Sequence, residues 1–209
     1  NRVWKAEGEE TELGSQVTFS LFSPDGDQGY PGNADISITY TLTADDSLVI
    51  HYHMVSDADT VANFTNHSYF NLAGHDCPDI LKQEAWIDAD TYTPADETSI
   101  PTGEIASVKE TPMDFTSLKP IGRDIDADFE QLKMAGGFDH NWVLNHKPGK
   151  LALSAKAVDP ESGRIMEVYT DLPGIQFYTA NGLKGDLPGK GGAQYGPRHA
   201  YCFETQYYP

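Results

Sequence analysis

The 209 residues are 39% hydrophobic and 22% charged, the balance of a globular chain long enough to bury a sizeable core in one domain. Fourteen Lys+Arg stand against 32 Asp+Glu, a formal net charge of −18, which excludes nucleic acid and anionic membrane surfaces as partners. No run approaches the roughly 18 apolar residues of a membrane-spanning helix.

Helical periodicity is almost absent and strand alternation recurs along the chain. In chain order, residues 17–22 form the first expected strand, followed by a Gly- and Pro-rich loop over 23–33. Within that loop Asp25-Gly26-Asp27 has a calcium-loop flavour but no terminal Glu, and turn chemistry accounts for it as well. Residues 35–43 place Ile36, Ile38, Tyr40 and Leu42 on one face and Ser37, Thr39 and Thr41 on the other. After the turn Ala44-Asp45-Asp46, Leu48, Ile50, Tyr52 and Met54 resume the alternation, making a hairpin. Residues 60–66 and 84–89 are further expected strands. Residues 126–134 (DADFEQLKM) invite a short helix that stops at Gly136-Gly137. Strands are expected at 140–145, 176–180 and 201–206, with a second hairpin of 151–158 and 164–170 around Asp159-Pro160-Glu161-Ser162-Gly163. A second Gly- and Pro-rich loop covers 183–197. The fold class is all-β: one antiparallel sandwich or barrel, with function on loops and strand ends.

Several polar groups sit where a ligand pocket would place them. His67 lies in residues 65–74 (TNHSYFNLAG), a strand end where Tyr69 supplies an apolar wall and Asn66 and His67 directional hydrogen bonds. Glu204 lies in Tyr201-Cys202-Phe203-Glu204-Thr205-Gln206, where alternation puts Cys202, Glu204 and Gln206 on one face. Burial beside apolar neighbours raises a carboxylate's pKa, the tuning a general base needs near neutral pH. Asp139 and Gln176 are polar groups beside aromatics, as in sugar sites. Each of these also has a plain structural reading on a strand face. His51 and His53 share a face at i, i+2, but no third metal ligand follows in a recognised pattern, and we read them as polar-face residues. Cys77 and Cys202 make neither a disulfide framework nor a zinc pattern and read as buried free thiols. Two N-glycosylation triplets, at Asn63 and Asn66, read as incidental.

Together, residues 23–32 (SPDGDQGYPG), TNHSYFNLAG, Gly137-Phe138-Asp139-His140, residues 174–179 (GIQFYT) and Cys202-Phe203-Glu204-Thr205-Gln206 resemble the aldose 1-epimerase family, the galactose mutarotases. The resemblance implies an antiparallel β-sandwich, the supersandwich, and interconversion of the α and β anomers of a free hexose without metal, nucleotide or other cofactor. It implies His67 as general acid to the ring oxygen and Glu204 as general base to the anomeric hydroxyl. Asp139 and Gln176 are implied to hold sugar hydroxyls, with Asn66 and Tyr69 as further substrate contacts. Family members are longer, so residues 1–209 are expected to be a single sandwich domain truncated at both ends: an open sandwich, and a poor catalyst alone.

Two other readings stand beside this one. A non-catalytic carbohydrate-binding β-domain would keep aromatics such as Trp142 and Tyr178 but need not keep both His67 and Glu204. A hexose-6-phosphate mutarotase would want an arginine cluster, and Arg2, Arg123, Arg164 and Arg198 are scattered. The expected partner is a small aldose, and the expected state a monomer or weak dimer. The acidic balance and free cysteines lean towards the cytoplasm, with a secreted or periplasmic setting left open.

Overall fold

A computed structural model describes residues 2–209, which divide into two compact units, one ending at Phe64 and the other Thr65–Pro209. The first is a four-stranded antiparallel meander of β1 (Lys5–Thr11), β2 (Gly14–Ser23), β3 (Ala34–Thr43) and β4 (Leu48–Ser56), paired in that order. Its register aligns Phe19 with Ile38 and Ile38 with Tyr52, so the alternating apolar residues share one half-buried face. The opposite face carries polar pairs, among them Thr18 and Thr39, whose hydroxyls lie 2.9 Å apart. Leu42, at the strand end, departs from the pattern and is exposed. His51 and His53 lie on the polar face, as read from the sequence.

The 23–33 loop is held by turn chemistry. Asp25 Oδ1 accepts the Gly32 N–H at 2.7 Å, and Asn33 Oδ1 accepts the Asp25 N–H at 3.0 Å. Asp27 takes the Ser23 hydroxyl and the Arg2 guanidinium. The carboxylates that hinted at a calcium loop are thus occupied by the chain's own donors.

The second unit contains two antiparallel sheets. One is ordered β11-β10-β5-β8 and comprises β5 (Glu84–Ile87), β8 (Lys119–Pro120), β10 (Ala152–Val158) and β11 (Ile165–Thr170). The other is ordered β13-β12-β9-β6-β7 and comprises β6 (Thr91–Thr93), β7 (Ala106–Ser107), β9 (Asp139–Val143), β12 (Gly174–Tyr178) and β13 (Cys202–Gln206). Ala85, Ile87, Ala155 and Ala157 of the first sheet and Trp142, Ile175, Phe177 and Phe203 of the second share one apolar cluster, which makes the unit a sandwich. Small alanines on one side admit large rings from the other. Phe115 packs edge-on to Phe138 and Phe177 with centroids 5.0 and 5.4 Å apart, and Phe177 stacks on Phe203 at 5.0 Å. Trp142 keeps its indole N–H satisfied by the Met113 carbonyl at 3.0 Å.

Three expectations change. Residues 60–66 form no strand: Phe64 stacks on Tyr52 at 5.9 Å, so its apolar character serves packing rather than ladder pairing. The helix expected over 126–134 is α1 (Glu130–Ala135). Upstream, the Ala127 N–H bonds the Asp124 carbonyl and the Phe129 N–H the Ala127 carbonyl, the short-range bonds of turns. The stop is as read: Gly136 takes the left-handed conformation at φ 70°, and the Gly137 N–H returns to the Leu132 carbonyl at 3.0 Å. Of the two thiols, Cys202 is buried and Cys77 only half-buried.

Lys119 is a buried cation, 1% exposed. Its Nζ donates to Asp124 Oδ2 and to the Pro112 carbonyl, each at 2.7 Å, and sits 4.1 Å from the centroid of the Phe115 ring. Removing one partner of such a pair strands a charge away from water. Asp124→Ala is therefore expected to destabilise the chain by about 3 kcal/mol. Urea unfolding measures this, and a change under about 0.5 kcal/mol would show that the carbonyl and ring suffice for the ammonium.

Candidate active site

Three neighbouring strands build the floor of a cleft. Register pairs Gln176 with both Asn141 and Glu204, and Tyr178 with both Asp139 and Cys202. Residues aligned across a sheet share its face. Asp139 and Asn141 of β9, Gln176 and Tyr178 of β12, and Cys202, Glu204 and Gln206 of β13 therefore point one way. Phe138, His140, Trp142, Ile175, Phe177 and Phe203 point the other way, into the core. Gly174, on the cleft face, leaves room that a side chain would take: a Cβ there would lie 2.5 Å from Asn141 Oδ1 and 3.0 Å from the Tyr208 ring.

His67 arrives from outside the ladder. The chain is pinned three residues later, where Phe70 and Tyr201 exchange backbone hydrogen bonds at 2.8 and 3.0 Å. Asn71 fixes the next turn, its side chain donating to the His199 carbonyl at 2.8 Å and accepting from Gln83 at 2.7 Å. The imidazole then lies over β13 with Nε2 3.5 Å from Glu204 Oε1 and Nδ1 3.4 Å from Cys202 Sγ. Tyr69 stacks on it at 5.1 Å and Tyr178 meets it edge-on at 5.9 Å.

The result is a cavity of about 270 Å³ whose lining includes His67, Asp139, Asn141, Gln176, Glu204 and Gln206. Glu204 is only 7% exposed, and burial raises its pKa; the charge of Asp139 adds to the rise while His67 opposes it. Asp139 is likewise raised by burial, partly offset by the Gln176 amide donating to its Oδ1 at 2.8 Å and by His67. Burial pushes the Cys202 thiol up to about 12, so it stays protonated at neutral pH. A carboxylate made more basic by burial, beside an imidazole, is a pair suited to passing protons.

Of the residues singled out from sequence, the structure brings His67, Asp139, Gln176 and Glu204 together around one cavity. Asn66 and Tyr69 do not line it. Asn66 Oδ1 faces the Ser68 N–H at 3.5 Å, and Tyr69 contributes through its stacking on His67. Sequence reasoning missed Asn141; the signal that finds it is its i+2 position to Asp139 on one strand. Gln206 shared a face with Glu204 and here donates to Asn141 Oδ1 at 3.3 Å. His140, by contrast, faces the core. It accepts the Asp139 N–H on Nδ1 and turns Nε2 to Gln131, and burial lowers its pKa to about 4.

Among the described residues one group has metal-ligating donor types close together, His67, Cys202 and Glu204, with donor atoms within 4.8 Å of one another. Binding a cation there would require the buried thiol to give up its proton. Of the residues lining the cavity none is Lys or Arg. The arginines are engaged elsewhere: Arg2 with Asp27, Arg123 with Asp124, Arg198 with Asp126, and Arg164 with the Leu72 carbonyl.

The aldose 1-epimerase family model matches residues 1–209. Galactose mutarotase of Homo sapiens is 45% identical over 197 residues, which are 94% of this chain and 56% of that protein. Aldose 1-epimerase of Escherichia coli (strain K12) is 37% identical over 194 residues, 93% of this chain and 55% of that protein. The chain thus spans about half the length of the curated relatives it matches. The crystal structure of galactose 1-epimerase from Lactobacillus acidophilus NCFM superposes with a TM-score of 0.87 at 30% identity, covering 100% of this chain and 59% of that one.

The raised pKa of Glu204 has a sign that stability can read. The unfolded carboxyl ionises near about 4.3, whereas the folded one resists ionisation because it is buried. Below that value both states are protonated and the group is silent; as pH climbs from there up to the folded value, stability is lost. Glu204→Gln removes this loss. The variant is expected to match its parent in urea near pH 4 and to exceed it at pH 7.5. A variant no more stable than its parent at pH 7.5 would show that ionised Glu204 is fully compensated in the fold.

Proposed function

The chain belongs to the aldose 1-epimerase family, and from that premise we propose that it interconverts the α and β anomers of a neutral aldohexose such as galactose or glucose. The observation that carries the reading is the pairing of a buried carboxylate with an imidazole, Glu204 Oε1 to His67 Nε2 at 3.5 Å, on one side of a polar cavity. Opening a hemiacetal takes one proton from the C1 hydroxyl and delivers one to the ring oxygen, and these two oxygens share a carbon. Glu204 takes the first proton and His67 supplies the second. The open aldehyde turns about its C1–C2 bond and closes on the opposite face with the two roles reversed, so each group ends as it began. Asp139 and Gln176, bonded to each other at 2.8 Å, are placed to hold sugar hydroxyls by exchanging that bond for bonds to the substrate.

The uncharged character of the substrate is supported by the lining: no Lys or Arg borders the cavity among the described residues, whereas a phosphosugar would need one. A simple sugar-binding module has no need of a buried base beside an acid. Among the described residues no helix is long and apolar enough to cross a membrane. A cytoplasmic setting is supported by two free cysteines, and a monomeric state by the net charge of −18.

Polarimetry of freshly dissolved α-glucose or α-galactose tests the activity. Glu204→Gln and His67→Asn are each expected to lower turnover by roughly 10²–10⁴-fold, the usual worth of a positioned acid or base. Asp139→Ala is expected to raise KM by about 10-fold with a smaller effect on kcat, because it removes a hydroxyl contact rather than a proton carrier. Glu204→Gln at parental turnover would overturn the assignment of the base.

A further inference from the structure

One strand grips the His67 ring by both nitrogens. Nε2 faces Glu204 Oε1 at 3.5 Å and Nδ1 faces Cys202 Sγ at 3.4 Å, and the two partners stand two residues apart on the cleft face of β13. We propose that Cys202 is the positioning residue of His67: its thiol partners Nδ1 in every protonation state of the ring and so keeps Nε2 turned to the cleft. The inference deepens the acid role proposed for His67 and rests on that reading for its kinetic consequence, though not for its structural one.

A thiol can do this because sulfur both donates and accepts, and its hydrogen rotates to suit. In the neutral ring the carboxylate of Glu204, the stronger acceptor, draws the hydrogen to Nε2. Nδ1 is then bare and receives the S–H. In the cationic ring Nδ1 carries a hydrogen too, the S–H swings away, and a sulfur lone pair accepts. When Nε2 releases its proton to the ring oxygen, the ring is left neutral with its hydrogen on Nδ1, held by sulfur. Bare Nε2 then takes the proton back as the aldehyde recloses. The thiol itself neither gains nor loses a proton through the cycle, consistent with burial keeping it protonated.

The surroundings show why another partner would serve less well. Tyr69 and Tyr178 fix the plane of the ring, but a stacked ring turned over by 180° fits them nearly as well. Only the polar partners of its two nitrogens tell this orientation from the flipped one, in which Cδ2 and Cε1 take the places of Nδ1 and Nε2. A carboxylate at position 202 would distinguish them, but it would add a third buried negative charge next to Glu204 and Asp139, each already raised by burial. The thiol gives direction without charge. The sequence signal was present as the alternation of Cys202 with Glu204, but a cysteine without a second cysteine or a zinc pattern reads as inert.

The test compares Cys202→Val, which fills the site without a hydrogen bond, with Cys202→Ser, which keeps a group that donates and accepts. The His67 nitrogens are read by long-range ¹H–¹⁵N NMR on the sugar-free chain and assigned from the signals that His67→Asn removes. The parent and the serine variant are expected to show a single neutral tautomer with the hydrogen on Nε2, and the valine variant a mixture. In polarimetry the valine variant is expected to lose about 10- to 100-fold in kcat with KM little changed, and serine to recover most of it. Cys202→Ala, which cannot overpack the strand, is read in the same way. A valine or alanine variant with the parental tautomer overturns the proposal. A tautomer shift in a protein whose parent shows no mutarotation leaves the positioning role standing and removes the mutarotase reading instead.

Discussion

The period of two along β9, β12 and β13 is the constraint on which the site depends. Each strand sends alternate side chains to opposite faces, and the register holds those faces together across the three ladders. One face is an aromatic core of Phe138, Trp142, Phe177 and Phe203. The reverse is a row of carboxylates, amides, a thiol and a phenol. Neither exists without the other: rings packed 5.0 to 6.3 Å apart fix the strand positions, and fixed strands set the spacing of Asp139, Gln176 and Glu204. A one-residue slip of β13 against β12 would bury Glu204 among phenylalanines and turn Phe203 to the cleft.

That arrangement sets stability against chemistry. Two acids held in a cavity resist ionisation because water is excluded and because they repel each other. The same burial makes the Glu204 carboxylate more basic than a solvated one, which suits it to taking a proton. The fold offsets that cost through the apolar sandwich core. His140 marks the boundary between the two regimes: one residue from Asp139, it belongs to the core, where its ring stays neutral and serves as a hydrogen-bonding spacer.

Much of this was legible because it is written as alternation. The hairpins of β3 with β4 and of β10 with β11 have clean turn clusters, the first also shows its two faces by alternation, and FETQ announced a carboxylate on the face opposite to Phe203. Four strands were not legible. β1, Lys-Ala-Glu-Gly-Glu-Glu-Thr, is almost entirely polar and is a strand because it lines the exposed edge of β2. β6, β7 and β8 have two or three residues each, too few to show a period. The opposite error, a strand over 60–66, came from apolar residues whose partner is an aromatic side chain rather than a ladder. At the site, His67 and Glu204 were singled out by their polar and aromatic neighbours and given roles by the family resemblance, whereas Asn141 and the sulfur contact of Cys202 needed the register that aligns β9, β12 and β13.

The proposed acid, His67, and the proposed base, Glu204, are mounted differently. Glu204 stands on a strand whose neighbour β12 is laddered on both sides, while His67 stands on a segment outside the ladder, anchored at Phe70 three residues along. Stiffness across the cleft is therefore unequal: displacing Glu204 means breaking a run of backbone hydrogen bonds, and displacing His67 means bending a short stretch outside the ladder. A ring-opened sugar is longer than its closed form and must sweep its aldehyde through half a turn. In the proposed reaction a rigid floor with one compliant jaw would give that sweep room without letting go of the hydroxyls, so the widest excursion of the sugar would fall on the side of the cleft that deforms at least energetic expense.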